Sequence, residues 1–215
     1  MSGIPYAPKM DLKAVDEVLT TARSVRRRID FERPVEPRVI EECIGLAVQA
    51  PTGIHQQSWR FLVLSDPEPK AVLAELYRSA LGTMVEARGV EVRPAQRALA
   101  DRLHEMPVLI LVCSEGRPIS ESVAMQVAFY GSVLPAAWSL MLALRSRGLG
   151  ATWTTLHLLH EREAAAAFGI PDGVTQTVLL PVGYTRNAVL KPANRRPPAD
   201  VTFWNHWGNR RTSKH

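Results

Sequence analysis

Residues 23–28 read Arg23-Ser24-Val25-Arg26-Arg27-Arg28. Arg23 and Arg26 are three apart, so in helical geometry their guanidinium groups can converge on one anion, and Ser24 adds a neutral donor. The same run would also suit a solvated surface. A second stretch, Pro51-Thr52-Gly53 leading to His55-Gln56-Gln57-Ser58, places amide side chains between two apolar segments. Amides offer donor and acceptor together, which suits a heterocycle edge presenting both; an ordinary polar turn is the plainer reading. His157 and His160 are spaced like a metal pair, but without a third ligand to complete a site ordinary polar residues are the better account. There is no Gly-x-Gly-x-x-Gly run and no Ser/His/Asp spacing, so neither a separate dinucleotide-binding domain nor a hydrolytic triad is indicated.

These residues need elements to position them. Asp11 can cap a helix with Leu12, Val15, Val18, Leu19 and Ala22 on one face, which delivers the chain to Arg23. Val39, Ile40, Cys43, Ile44 and Ala47 mark a second amphipathic helix from near Pro37 to Ala50, and a strand ends in Phe61-Leu62-Val63-Leu64. Helices are predicted over 67–81 and 94–104, with a poorly patterned stretch over 82–93 where a pocket lid would sit. Val108 to Val112 is an apolar run of strand length. Between Glu121 and Arg145 no residue is charged. That stretch is long enough to span a membrane, but Gln126, Tyr130, Ser132, Pro135 and Ser139 interrupt it, which favours a core or subunit-interface helix over a membrane span. Pro135 should kink the helix, and Gly148 stops it. Strands are then predicted over 151–156 and 174–182, separated by a short Ala-rich helix, Glu161 to Phe168.

The 215 residues include no linker, repeat or low-complexity run, so a single domain over 1–215 is expected, with tails over 1–10 and 208–215. The net charge is +5. Two basic clusters, Arg23 to Arg28 and Lys191 to Arg196, lack the interleaved aromatics of a nucleic-acid face, so a nucleic-acid-binding module would rest on charge alone. Cys43 and Cys113 each sit alone in an apolar run. Buried free thiols and an N-terminus without a basic-then-apolar pattern predict a cytoplasmic protein.

Taken together, Arg-Ser-x-Arg after the first helix and Ala-Pro-Thr-Gly-x-x-Gln-x-x-Trp-Arg-Phe about 25 residues on are followed by Gly-Leu-Gly-x-x-Trp, Gly-Ile-Pro-x-Gly, Pro-Val-Gly-Tyr and Lys-Pro-x-x-Arg. This order resembles the nitroreductase family of FMN-dependent flavoproteins. The resemblance implies an α+β fold, a mixed sheet flanked by helices, and a homodimer with the long central helix buried between subunits and FMN at that interface. It assigns the FMN phosphate to Arg23, Ser24 and Arg26, joined by Arg195, with Arg27 and Arg196 as alternates. It brings Pro51, Thr52, Gly53 and Gln57 to the flavin ring from the other subunit, and sets Trp153, Thr154, Thr155 and Leu156 along the opposite edge. NADH or NADPH would act as a transient co-substrate, passing hydride to flavin N5 and leaving before a nitroaromatic, quinone or similar acceptor binds, in ping-pong order. No catalytic residue beyond the flavin is implied.

Two departures from the family pattern touch the ring. His55 stands where Asn is common, and Thr155-Leu156 stand where a Glu-Gly pair or similar is common. His55 is a candidate proton donor to the reduced product, or a structural hydrogen-bonding group. The alternative function is a family member that binds flavin without using nicotinamide, either storing the flavin or dismantling it.

Overall fold

The computed structural model describes residues 10–53, 57–89, 91–119, 121–186 and 188–211. Along the chain the elements are α1 (Leu12–Thr21), α2 (Pro37–Ala47), β1 (Trp59–Leu64), α3 (Pro67–Arg88), α4 (Pro94–Arg102), β2 (Val108–Glu115), α5 (Val123–Ser146), β3 (Leu149–Ala151), α6 (Glu161–Phe168), β4 (Val174–Tyr184) and α7 (Pro198–Val201). They divide into two compact units, one of residues 22–189 and one of residues 1–21 with 190–215.

In the larger unit the strands form a four-stranded sheet in the order β1-β2-β4-β3, every neighbouring pair antiparallel. Among the described residues parallel pairing enters as bridges, Ser24 with Ala151 and Gly116 with Val174. The apolar runs of β2 and β4 arise because both sheet faces are covered. Val108, Ile110, Val112, Val178, Leu180 and Val182 share a core with Ile40, Cys43 and Ala47 of α2 and with Val133, Ala137, Leu140 and Leu144 of α5. The alternate residues Leu109, Leu111 and Leu179 are also fully buried, as residues pointing to the opposite, equally covered face must be. On that side α3 packs against α4, α6 and two 3₁₀ turns, Leu103–Glu105 and Leu156–His160. Lys70 of α3 is buried, and its ammonium donates to the Met106 carbonyl at 2.9 Å.

Two expectations change, and the central helix is found where it was expected. The helix from Pro67 continues past Leu81 to Arg88 and closes on Gly89 in the left-handed region, φ 58°, so part of the stretch expected as a lid is helix. Gly82 costs an exposed helix only about 1 kcal/mol, which the helix formers on both sides offset. The long central helix is α5, Val123–Ser146, with Pro135 inside it. The strand expected over 151–156 is short: β3 ends at Ala151, residue 154 makes a single bridge to Leu179, and the chain then coils into the 3₁₀ turn. Pro181 explains the interruption. The Thr152 amide donates to its carbonyl at 3.1 Å, but proline has no N–H to return the bond, so the ladder lapses there.

By length and composition α5 could cross a membrane, yet its C-terminal half already lines the sheet core. Its N-terminal half differs: Val123 is 76% exposed and Val127 66%. In the smaller unit, α1 exposes Leu12 and Leu19; in the tail the Phe203 and Trp207 rings lie 4.8 Å apart and the Arg211 guanidinium sits over Trp204 at 4.1 Å.

Candidate functional site

Ser24 and Trp153 lie 129 residues apart in sequence, and the fold joins them. Residues 24–30 are stitched along the edge of the sheet: the Val25 amide donates to the Ala151 carbonyl at 2.9 Å, Asp30 to Tyr184 at 2.8 Å and Arg186 to Arg28 at 2.8 Å. Side chains complete the seam. The buried Thr152 hydroxyl donates to the Val25 carbonyl at 2.8 Å, and the Trp153 amide donates to Ser24 Oγ at 3.2 Å. A hydroxyl has one donor and two acceptor sites, so Ser24, having accepted from Trp153, keeps its hydrogen for an outside acceptor. Arg23 is exposed and Arg26 half-buried on either side of it.

Two glycines make this seam possible. A Cβ on Gly150 would meet Val25 Cβ at 3.0 Å and Thr185 Cγ2 at 2.9 Å, and one on Gly183 would meet Ile29 Cγ2 at 2.6 Å. The bare backbone of β3 and β4 therefore lets the arginine-bearing segment lie flat against the sheet. Gly150→Ala is expected to destabilise the protein by about 1–3 kcal/mol, seen as a lower urea midpoint, because Val25 cannot retreat without giving up its bond to Ala151.

Beyond Trp153, Thr154 is fixed through its backbone. Its amide donates to Leu179 at 3.1 Å and its carbonyl accepts from Leu179 at 2.9 Å. Its hydroxyl lies 3.0 Å from the hydroxyl of Tyr77 on α3. Burial raises the pKa of that phenol, the bond to Thr154 and the charge of Arg26 acting the other way. Thr155 is exposed, and its carbonyl accepts from the Leu158 amide at 3.1 Å, which starts the 3₁₀ turn that includes Leu156.

The second sequence cluster is anchored elsewhere. The Gly53 amide donates to Ser132 Oγ on α5 at 2.9 Å, beside a cavity of about 130 Å³ lined by Gly53, Ser58, Glu115, Met125, Phe129 and Ser132 among others. Pro51 and Gln57 are exposed and Thr52 half-buried. His55 and Gln56 lie outside the described residues. Arg27 lines a different concavity, of about 700 Å³, with Arg28, Phe31, Arg102 and Arg186, where Arg102 is held by Glu105 and stacked on Phe31 at 3.7 Å. Arg195 and Arg196 are exposed in the smaller unit.

His157 is fully buried, and neither of its ring nitrogens has a hydrogen-bond partner; burial pushes its pKa down to about 4. His160, half-buried, is bonded to Ser79 of α3 at 3.0 Å and to Glu163 at 3.3 Å. Among the described residues no group of three His, Cys, Asp or Glu could hold a metal ion.

Sequence reasoning missed Tyr77. An aromatic at a core-facing helical position gives no sign that its hydroxyl reaches a polar partner.

A helix-flanked sheet with an Arg-Ser-x-Arg segment sewn to a threonine-rich turn defines the class. The Nitroreductase family matches residues 19–184, and the chain belongs to that family. It is 29% identical over 203 residues to an iodotyrosine deiodinase of Drosophila melanogaster, covering 88% of this chain and 70% of that one. Its fold resembles that of oxidized iodotyrosine deiodinase bound to FMN and 3-iodo-L-tyrosine, with TM-score 0.67 and 26% identity over 89% of this chain and 98% of the other. It also resembles a nitroreductase-like family protein from Bacillus cereus, with TM-score 0.69 and 20% identity over 94% and 100% of the two chains.

Proposed function

We propose that this protein is an FMN-dependent oxidoreductase that takes hydride from NADH or NADPH and delivers it to a small organic acceptor, working as a homodimer. The observation that carries the reading is the Ser24–Trp153 bond, which sets an anion-binding run against a polar, partly open turn. The donors suit FMN. Arg23 and Arg26 supply guanidinium forks and Ser24 a free hydroxyl hydrogen for a phosphate dianion, and Trp153, Thr154, Thr155 and Leu156 supply a half-buried edge for the ring. When bound, FMN supplies a ring that accepts hydride from a nicotinamide and yields it to an acceptor.

The chain's own part is to bind, orient and exclude water. Thr154, held on both sides by Leu179, keeps the edge rigid, and rigid polar groups need no reorganisation when charge develops. A second copy completes the site in this reading. Val123, Val127 and Trp138 leave an apolar stripe exposed on α5, and the loop of Pro51, Thr52, Gly53 and Gln57 is anchored to the same helix, so a partner covering the stripe would bring its own loop toward the flavin. Val127→Glu is expected to convert a dimer into a monomer in sedimentation analysis, because a charge buried at the centre of such a face cannot be solvated. The buried free thiols Cys43 and Cys113, the latter raised to about 12 by burial, suit a reducing cytoplasm. Arg195 and Arg196 remain candidates for a phosphate contact.

For the acceptor, a nitroaromatic or quinone is one reading. The identity to iodotyrosine deiodinases favours a second, reductive removal of halide from an aromatic ring. The test is to load the protein with FMN, add NADPH or NADH without oxygen, and follow the flavin band. Bleaching, then recovery on adding a nitroaromatic, a quinone or 3-iodotyrosine, supports the oxidoreductase reading and names the acceptor class. A flavin band that neither nicotinamide bleaches contradicts it and moves the function to flavin binding without nicotinamide.

A further inference from the structure

We propose that Tyr77 of α3 is a positioning residue for the cofactor edge formed by Thr154 and Thr155, acting through the Thr154 hydroxyl; the inference rests on the flavin reading above. Tyr77 is 4% exposed, and its hydroxyl is 3.0 Å from Thr154 Oγ1. With the pKa of the phenol raised by burial, Tyr77 keeps its proton at neutral pH.

The geometry gives this bond a particular task. The amide and carbonyl of Thr154 are both committed to Leu179, so rotation about χ1 is the freedom this residue retains. A threonine hydroxyl has more than one accessible χ1 well unless something selects among them. Tyr77 selects the well. When the phenol donates to Thr154 Oγ1, the threonine hydrogen is left to point outward, and a donor polarised by another hydrogen bond is a stronger donor.

Tyr77 also stands where the charge of Arg26 reaches its hydroxyl. At the ring edge itself it touches Thr154. Helix α3 grips the same stretch again two residues on, where Ser79 Oγ is 3.0 Å from His160 Nε2. The Ser79 contact secures the far end of the 3₁₀ turn and does not involve Thr154. The two bonds thus separate the general fastening of α3 from the specific setting of the Thr154 hydroxyl.

Four variants test this: Tyr77→Phe, Thr154→Val, the two combined, and Ser79→Ala, each assayed for FMN dissociation constant, visible spectrum of the bound flavin and melting temperature. Tyr77→Phe is expected to weaken FMN binding by about 2- to 10-fold, the range of one net hydrogen bond, and to shift the flavin bands. The combined variant should be no weaker than the weaker single one, because both changes remove the same interaction. Ser79→Ala should leave affinity within about twofold. Parental affinity and spectrum in Tyr77→Phe, whatever its melting temperature, would reduce Tyr77 to a core residue and overturn the proposal, as would additive losses in the combined variant. Thr154→Val removes this bond together with the outward donor, so parental affinity and spectrum in Thr154→Val would overturn the proposal should Tyr77→Phe fail to fold. A parent protein that binds no FMN overturns the flavin reading itself, an outcome visible before any variant is made.

Discussion

An Arg26→Ala protein is expected to bind FMN about 10- to 150-fold more weakly than its parent, the loss that follows removal of one hydrogen-bonding partner from a charged group. Its melting temperature should change little. The segment that bears Arg26 is held by backbone bonds from Val25 to Ala151 and from Asp30 to Tyr184, neither of which needs the guanidinium. Arg26→Lys should recover only part of the affinity, because an ammonium restores charge without the planar fork that meets two phosphate oxygens. Isothermal titration of the apo-protein at fixed ionic strength measures all three, and equal affinity in Arg26→Ala would remove this residue from the site.

The second large effect concerns stability against pH. His157 is buried without a hydrogen-bond partner and has its pKa pushed down to about 4 from 6.5. Between those values the unfolded chain takes up a proton that the folded chain refuses. Stability from this group is therefore complete above about pH 6.5, falls as the pH drops toward 4, and levels off below. The displacement corresponds to about 3 kcal/mol at most. His157→Leu should abolish this component, so the difference in unfolding free energy between the variant and the parent should widen from pH 7 to pH 4. It should also favour the variant already at pH 7, since two unpaired ring nitrogens leave the core. A difference that does not change with pH would show that the ring is solvated or paired after all. No charged group contributes to the His157 shift, which arises from burial alone.

Much of this architecture could be read from residue order, and the exceptions have physical causes. The apolar run from Val108 to Val112, the amphipathic helix from Pro37 and the long uncharged stretch after Ser122 announced themselves because each must bury what it exposes. The Arg23 to Arg26 run and the Trp153 to Leu156 stretch were visible as separate features. Their meeting was not a local property: it depends on Gly150 and Gly183 having no side chains opposite Val25 and Ile29, whereas the sequence alone marks only Gly148, at the end of the central helix, as a stop. The strand expected through residue 156 was cut short by a residue in another strand, since Pro181 cannot return the bond that Thr152 offers. Both halves of α5 are predominantly apolar, and only packing distinguishes Val127 from Val133.

In the proposed function the seam between residues 23–26 and 153–156 would hold a flavin nucleotide. Fluorescence titration of FMN with the purified apo-protein tests it most directly, because flavin emission changes when the ring leaves water for a protein edge. The account predicts saturation at one FMN per chain with a micromolar or tighter dissociation constant, and loss of that binding in an Arg23→Ala/Arg26→Ala double variant that still folds. No saturable binding, or equal binding by the double variant, would contradict it.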